Sequence, residues 1–261
     1  MASTVQAIQP IIEQVGTMLD QQAAGAAKAI KLAGPNKTLG DYMKSAKGDA
    51  GKQAPVHEIN NQMNSLQLIV DPKRSTVTVQ KKGGNSLVEQ IDTIQKSPEF
   101  KELAKAKETK EYYGYLQAPL LESARKMSEY SQAIFVARAG KPKDIEAAAK
   151  KYLTKAVTSL VKAKKYASDP HRAQLLATQA GILKGLIEAS NVQSVVKSYP
   201  NLDKELQPLF TKLGVDDVYQ QAAQKIINEA KQVEQPTEGQ QRGGLPGGQR
   251  PPFELPQRRA A

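Results

Sequence analysis

Residues 143–197 read KDIEAAAKKYLTKAVTSLVKAKKYASDPHRAQLLATQAGILKGLIEASNVQSVVK, and this stretch decides the fold. Ile145, Ala149, Leu153, Ala156, Val157, Leu160 and Val161 recur at spacings of three and four, which lays them along one face of an α-helix. Lys150, Lys151, Lys155, Lys162, Lys164 and Lys165 make up a basic run on much of the remainder. Ser168-Asp169-Pro170 then opens a second helix. Proline suits a first helical turn because the N–H it lacks would be unpaired there, and Ser168 or Asp169 accepts from the free N–H groups that follow. Leu175, Leu176, Gln179, Ile182, Leu183, Leu186, Ile187 and Ser190 continue the apolar stripe, and Val192, Val195 and Val196 extend it to a stop at Tyr199-Pro200. Two helices of about 25 residues, each roughly 35 to 40 Å long at 1.5 Å per residue, form a helical hairpin. Hairpins of that length belong to antiparallel bundles.

The flanking sequence has the same character. Residues 3 to 32 place Val5, Ile8, Ile12, Val15 and Leu19 on one stripe and then become alanine-rich up to Gly34-Pro35, with Pro10 either kinking the helix or starting it. A short helix fits Leu39 to Ala46, and Val56, Ile59, Met63, Leu66, Ile69 and Val70 read as a helix ending at Asp71-Pro72. Residues 75–84 are β-like, with Val77 and Val79 alternating against Thr, and predict an extended loop or a small hairpin beside the bundle. Asn85 is placed to cap a helix bearing Leu87, Val88, Ile91 and Ile94. Ser97-Pro98-Glu99 opens another, and Pro119 opens one carrying Leu120, Leu121, Ala124, Met127, Ser131, Ile134 and Phe135. A helix from Leu202 to Leu213 closes at Gly214, and Val218, Ala222, Ile226, Ala230 and Val233 mark the last. The expected fold is therefore all-α, one or more antiparallel helical bundles of about eight to nine helices. Residues 1–118 form an amino-terminal helical region with the insert at 75–84, and residues 119–235 form a helical bundle, the two sharing a long helix or standing apart. Residues 236–261, rich in Pro, Gly, Gln and Arg, have too little apolar surface to fold and are expected to form a disordered tail.

Composition excludes several chemistries. No Cys means no disulfide and no zinc-thiolate site, which fits a reducing, cytoplasmic setting. Two histidines, His57 and His171, are too few for a His-rich metal site, and no metal or cofactor is expected. No Trp and four Phe leave an aliphatic core with alanine at close helix contacts. No apolar run approaches the length of a membrane span, and the first 30 residues, with Glu13 and Asp20, are neither signal peptide nor anchor. Asp216-Asp217 fits a helix N-terminus better than acid–base catalysis, and Gly83-Gly84 fits a turn better than a phosphate loop. No constellation of an enzyme is present.

Charge is the other informative quantity. The net +11 favours anionic partners, and residues 101–170 alone carry 15 Lys and Arg against 8 Asp and Glu, a net of +7. Lys150, Lys151, Lys155, Lys162, Lys164 and Lys165 are the candidate anion-binding residues, toward nucleic acid or lipid; lysines of this kind also serve simply as solvated helix faces. In the tail, Arg242-Gly243-Gly244 is a single RGG. Pro251, Pro252, Phe253, Leu255 and Pro256 form a candidate peptide ligand for a proline-recognising or groove-bearing partner.

Thr4-Val-Gln-Ala-Ile-Gln-Pro-Ile-Ile-Glu-Gln-Val15 resembles the first helix of a vinculin head, and Ala118-Pro-Leu-Leu-Glu-Ser-Ala124 resembles the openings of talin rod helices. Ser168-Asp-Pro170 followed by Gln179-Ala-Gly-Ile-Leu183 is similar to the junction and next helix of a vinculin or α-catenin amino-terminal domain. The chain thus resembles the vinculin, α-catenin and talin superfamily of helical bundles over most of residues 1–235, with the β-like insert as a departure. The resemblance implies a cytoskeletal scaffold or adaptor that admits amphipathic partner helices or binds actin-related partners, with Val5, Ile8, Ile12, Val15 and Leu19 as the exchanging stripe. The same five residues also serve as permanent core. The competing expectation is a basic structural protein that binds nucleic acid or belongs to a virion or other large assembly.

Overall fold

The computed structural model describes residues 2–34, 38–63, 66–71, 76–81, 86–105, 117–135, 141–198 and 202–233. Among these are eleven α-helices and one β-hairpin: α1 (Ala2–Ala33), α2 (Leu39–Ser45), α3 (Ala50–Met63), β1 (Leu66–Asp71), β2 (Thr76–Lys81), α4 (Leu87–Lys96), α5 (Pro98–Lys105), α6 (Gln117–Phe135), α7 (Pro142–Ala163), α8 (Pro170–Ser190), α9 (Gln193–Ser198), α10 (Leu202–Lys212) and α11 (Asp216–Gln232). The chain is an all-α helical bundle. The expected tail at 236–261, with Pro251, Pro252, Phe253, Leu255 and Pro256, lies outside the described residues.

Five long helices build the core. α6 packs on α7, α7 on α8, α8 on α11, α11 on α1 and α1 back on α6, while α1 also touches α8 across the ring. The core therefore crosses position 118, because α1 shares one hydrophobic cluster with α6, α8 and α11. Every residue from Gln22 to Ile30 is buried. The alanines there allow several helices to approach α1 at once.

α8 is the most enclosed helix, with twelve of its 21 residues buried, from Ala173 to Ala189. Gly181 and Gly185, one turn apart, form its contact with α11. A Cβ on Gly181 would lie 2.6 Å from the Cβ of Ala222, and one on Gly185 would lie 2.6 Å from the Cβ of Ile226 and 2.8 Å from the carbonyl oxygen of Ala223. All three distances are shorter than van der Waals contact allows. Only glycine lets the two helices meet this closely.

Helix ends follow local chemistry. Asp169 caps α8, its carboxylate accepting from the Arg172 N–H at 2.9 Å, and Pro170 takes the first helical position. Ser86, not the expected Asn85, caps α4 in a reciprocal capping box with Glu89. Gly214 closes α10 at φ +69°, with the Val215 N–H donating to the Phe210 carbonyl at 2.9 Å and the Gly214 N–H to that of Thr211 at 3.2 Å, as the glycine predicted.

Two further expectations are corrected. The helix read through Leu66, Ile69 and Val70 stops at Met63, and those three residues belong to β1, paired antiparallel with β2 in the register Leu66 to Lys81 and Asp71 to Thr76. Spacings of three and four did not separate the two states over so short a run. β2 offers the ladder partner that satisfies the backbone of Leu66–Asp71, and Pro72 favours extended backbone before it. Second, α8 ends at Asn191, whose left-handed φ of 54° splits off α9, so the hairpin helices have 22 and 21 residues and Val192 and Val195 are buried outside α8. Of the two readings of Pro10, helix start or kink, the start is excluded, since α1 begins at Ala2 and has Pro10 inside it.

Candidate functional site

The expected partner stripe falls on α1. Ile12, Val15 and Leu19 are buried in the core, at 2%, 0% and 0% exposure, which is the permanent-core arrangement. Val5 and Ile8 lie on the same helix, and their side chains are outside the described residues. A partner helix exchanging at Val15 and Leu19 would have to open the core, forfeiting about 1.5–3 kcal/mol of burial for each large side chain it displaced.

The basic run is distributed by the helical period. Lys151, Lys155 and Lys162 are exposed and lie four and seven residues apart, hence on one face of α7. Lys150 is exposed and pairs with Glu146 at 2.9 Å. Hydrogen bonds from Lys150 and Ser194, with the charge of Lys150, hold the Glu146 carboxyl below its ordinary range. Past Ala163 the helix tightens into a 3-10 turn, Lys164–Tyr166, which redirects the chain toward Asp169. In that turn Lys164 reaches Glu205 of α10 at 3.4 Å, and the Lys165 ammonium lies 4.8 Å from the centre of the Tyr166 ring.

The 3-10 turn forms one wall of an open cleft of about 970 Å³. Ala118 and Pro119, from the first turn of α6, and Val161, Tyr166 and Leu209 give it an apolar lining; Lys162, Lys164 and Lys165 stand at it with one acid, Glu122. Glu122 is engaged on its own helix by Arg125 at 3.4 Å and Lys126 at 3.7 Å. Pro119 is tolerated at the head of α6 because N–H groups in a first turn lack helical acceptors. The first turn of α6 also places the positive pole of its helix dipole beside the lysines. Half of the candidate anion-binding set thus converges on one cleft, together with Ala118 and Pro119 of the quoted helix opening. Leu209 could not have been found from sequence, since its placement there depends on how α10 folds back.

A second groove, of about 670 Å³, runs between α1, α8 and α11, with Ile12, Leu120, Leu175, Val218 and Ala222 along it and an ion pair between Lys225 and Asp20 at its edge. Other polar groups serve the architecture. Ser128 donates to the Gln22 side chain at 2.6 Å, and Tyr130 meets Ser190 in a hydrogen bond. Burial pushes the Tyr130 phenol up although Ser190 partly offsets it. Asp216 and Asp217 sit in the first turn of α11, where the helix dipole favours them. His57 and His171 are exposed, and the described residues contain no group of three or more His, Cys, Asp or Glu able to hold a metal. None of the described helices is long and apolar enough to cross a membrane. No family model, curated protein or solved structure matches this chain.

Proposed function

We propose that the chain is a non-enzymatic scaffold or adaptor of the cytoskeletal type, which binds protein partners through the surfaces of its helical bundle. The observation that carries this reading is the pair of open, largely apolar grooves between core helices, one at Val161, Tyr166 and Leu209 and one at Leu175, Val218 and Ala222. Grooves of this kind accept an amphipathic helix without opening the core. The likeness of residues 4–15, 118–124, 168–170 and 179–183 to vinculin-type helices supports the cytoskeletal part. Burial of Ile12, Val15 and Leu19 favours docking on the surface over exchange of a helix into the bundle.

The exposed face of Lys151, Lys155 and Lys162 favours a second reading, a basic structural protein that contacts nucleic acid within a larger assembly. Cross-linking in source cells, with identification of the cross-linked residues, separates the two. Protein partners joined at the groove-lining helices are expected. Absence of protein cross-links, together with nucleic-acid affinity that falls steeply with salt, would replace the adaptor reading with the second.

A further inference from the structure

We infer that the outer face of α7 binds the phosphate backbone of a nucleic-acid duplex without regard to base sequence; this rests on the nucleic-acid reading and names the surface and the form of nucleic acid. Lys151, Lys155 and Lys162 stand on the side of α7 opposite its buried stripe of Leu153, Ala156 and Leu160. All three are exposed, and they form a row ~16 Å long. The acids that engage neighbouring lysines go elsewhere: Glu146 holds Lys150, which lies off the row, and Glu205 holds Lys164. Among the described residues no carboxylate pairs with Lys151, Lys155 or Lys162. Lys151 lies 4.9 Å from the centre of the Tyr152 ring, a contact that leaves its charge in place. Asp144 shares this face from the first turn of α7, seven residues or about 10 Å from Lys151.

Charge without an apolar anchor narrows the occupant. The residues that share the face, Ala147 and Thr158, are small, and the exposed large hydrophobic side chain among the described residues is Met43, on α2. A protein interface needs an apolar core and is depleted in lysine. An interfacial membrane segment needs large apolar side chains to insert. This face supplies neither. Single-stranded bases stack on aromatic rings, whereas Tyr152 is half-buried beside the row. What the face does supply is a line of cations on a rigid helix. A duplex is its complement, with one phosphate charge per ~1.7 Å of axis held in place before binding; a single strand would have to be ordered to match. Each ammonium is a point charge that meets a phosphate equally well beside any base pair, so the contact carries no sequence preference.

The test uses the full chain and fluorescence anisotropy with labelled DNA duplexes of two unrelated sequences, the matching single strand, and phosphatidylserine vesicles as a separate arm. Each neutralised phosphate contributes about 0.9 to the slope of log affinity against log salt, so K151Q/K155Q/K162Q is expected to flatten the duplex slope by about 2.7. That amounts to a loss about 40-fold smaller between about 50 and 200 mM salt. Its urea midpoint should match wild type, since all three positions are exposed. The control K101Q/K105Q/K231Q removes the same charge from exposed positions on α5 and α11 and should flatten the slope by less than about 1. The two duplexes should bind within about twofold of each other, and both more tightly than the single strand. Equal flattening by the two triple variants, or a slope unmoved by K151Q/K155Q/K162Q, would overturn the proposal. So would vesicle binding that depends on these lysines while duplex binding does not. Preference for the single strand or for one duplex sequence, with dependence on the three lysines intact, sinks the duplex backbone and leaves the nucleic-acid reading standing. Absence of binding to either form at the lowest salt sinks both.

Discussion

Lys28 of α1 and Glu229 of α11 form an ion pair at 2.7 Å, with the lysine side chain only 2% exposed. Glu58 of α3 holds the same ammonium from another side at 2.5 Å, so one buried cation ties three helices together. Burial pulls the Lys28 ammonium down, but hydrogen bonds and charges from Glu229 and Glu58 outweigh it and set its pKa above the ordinary 10.5. Replacing Lys28 with Met leaves two carboxylates facing each other without their cation. The expected loss is about 2–3 kcal/mol, below the ~3–5 of a fully buried pair because Glu58 is more than half exposed.

The same pair gives an alkaline signature. Because the folded chain holds the Lys28 proton more tightly than the unfolded one, the contribution is complete below about pH 10.5 and fades as pH rises through the higher folded value. Urea midpoints of wild type and K28M should therefore differ by a constant amount from neutral pH to about 10 and converge above it. A gap that stays constant into the alkaline range would contradict the assignment.

Glycines separate close approach from mere flexibility. Gly185→Ala puts a methyl 2.6 Å from Ile226 and 2.8 Å from the Ala223 carbonyl, forcing α8 and α11 apart. A cost of about 1–3 kcal/mol is expected. Gly16, inside α1, has nothing within 4 Å of the position of a Cβ, so Gly16→Ala should stabilise by about 0.5–1 kcal/mol through helix propensity alone. Thermal unfolding of the two variants should shift in opposite directions.

Much of the architecture is written in the pattern of spacings, because an aliphatic stripe with a period of 3.6 has few other ways to be buried. The residues 145–161 stripe, the Asp169-Pro170 opening and the Gly214 stop were all legible for that reason. What escaped depends on partners distant in the chain. Gly181 and Gly185 look like interruptions of a stripe until α11 lies against them, and Lys28 looks like a solvated lysine until Glu58 and Glu229 arrive. Leu66–Asp71 carries helical spacing in isolation, and only its pairing with Thr76–Lys81 makes it a strand. The candidate site divides likewise: the lysines of 150–165 stood out as a basic run, but their sorting between an exposed face and the cleft depends on the 3-10 turn at Lys164–Tyr166 and on Leu209 folding back from α10.

Asn191 ends α8 in the left-handed region at φ 54°, with the Val192 N–H donating to the Ile187 carbonyl at 3.4 Å. Glycine adopts this conformation without the Cβ penalty, so Asn191→Gly should hold or raise stability by a few tenths of a kcal/mol. Asn191→Val should lose about 1–2 kcal/mol, since a β-branched side chain strains the same backbone. If both variants melt together with wild type, the residue does not terminate the helix as described.

Tyr219 of α11 donates its hydroxyl hydrogen bond to Asp203 of α10, whose carboxylate also receives Lys184 of α8 at 3.1 and 3.2 Å. The ring packs against Phe210 with centroids 5.2 Å apart. Tyr219→Phe keeps the ring and removes one hydrogen bond to a charged acceptor, while Lys184 still satisfies Asp203, so a loss of about 1–2 kcal/mol is expected. Burial pushes the Tyr219 phenol far above its ordinary 10.0, and the hydrogen bond and charge of Asp203 push it further. The folded chain therefore keeps a proton that the unfolded chain releases near pH 10, and stability falls as pH rises past that point. Tyr219→Phe lacks this term, so its urea midpoint should decline less steeply than that of wild type above pH 10, and the two curves should approach each other there. Parallel curves throughout the alkaline range would show that the phenol ionises freely in the fold, against its burial beneath α10.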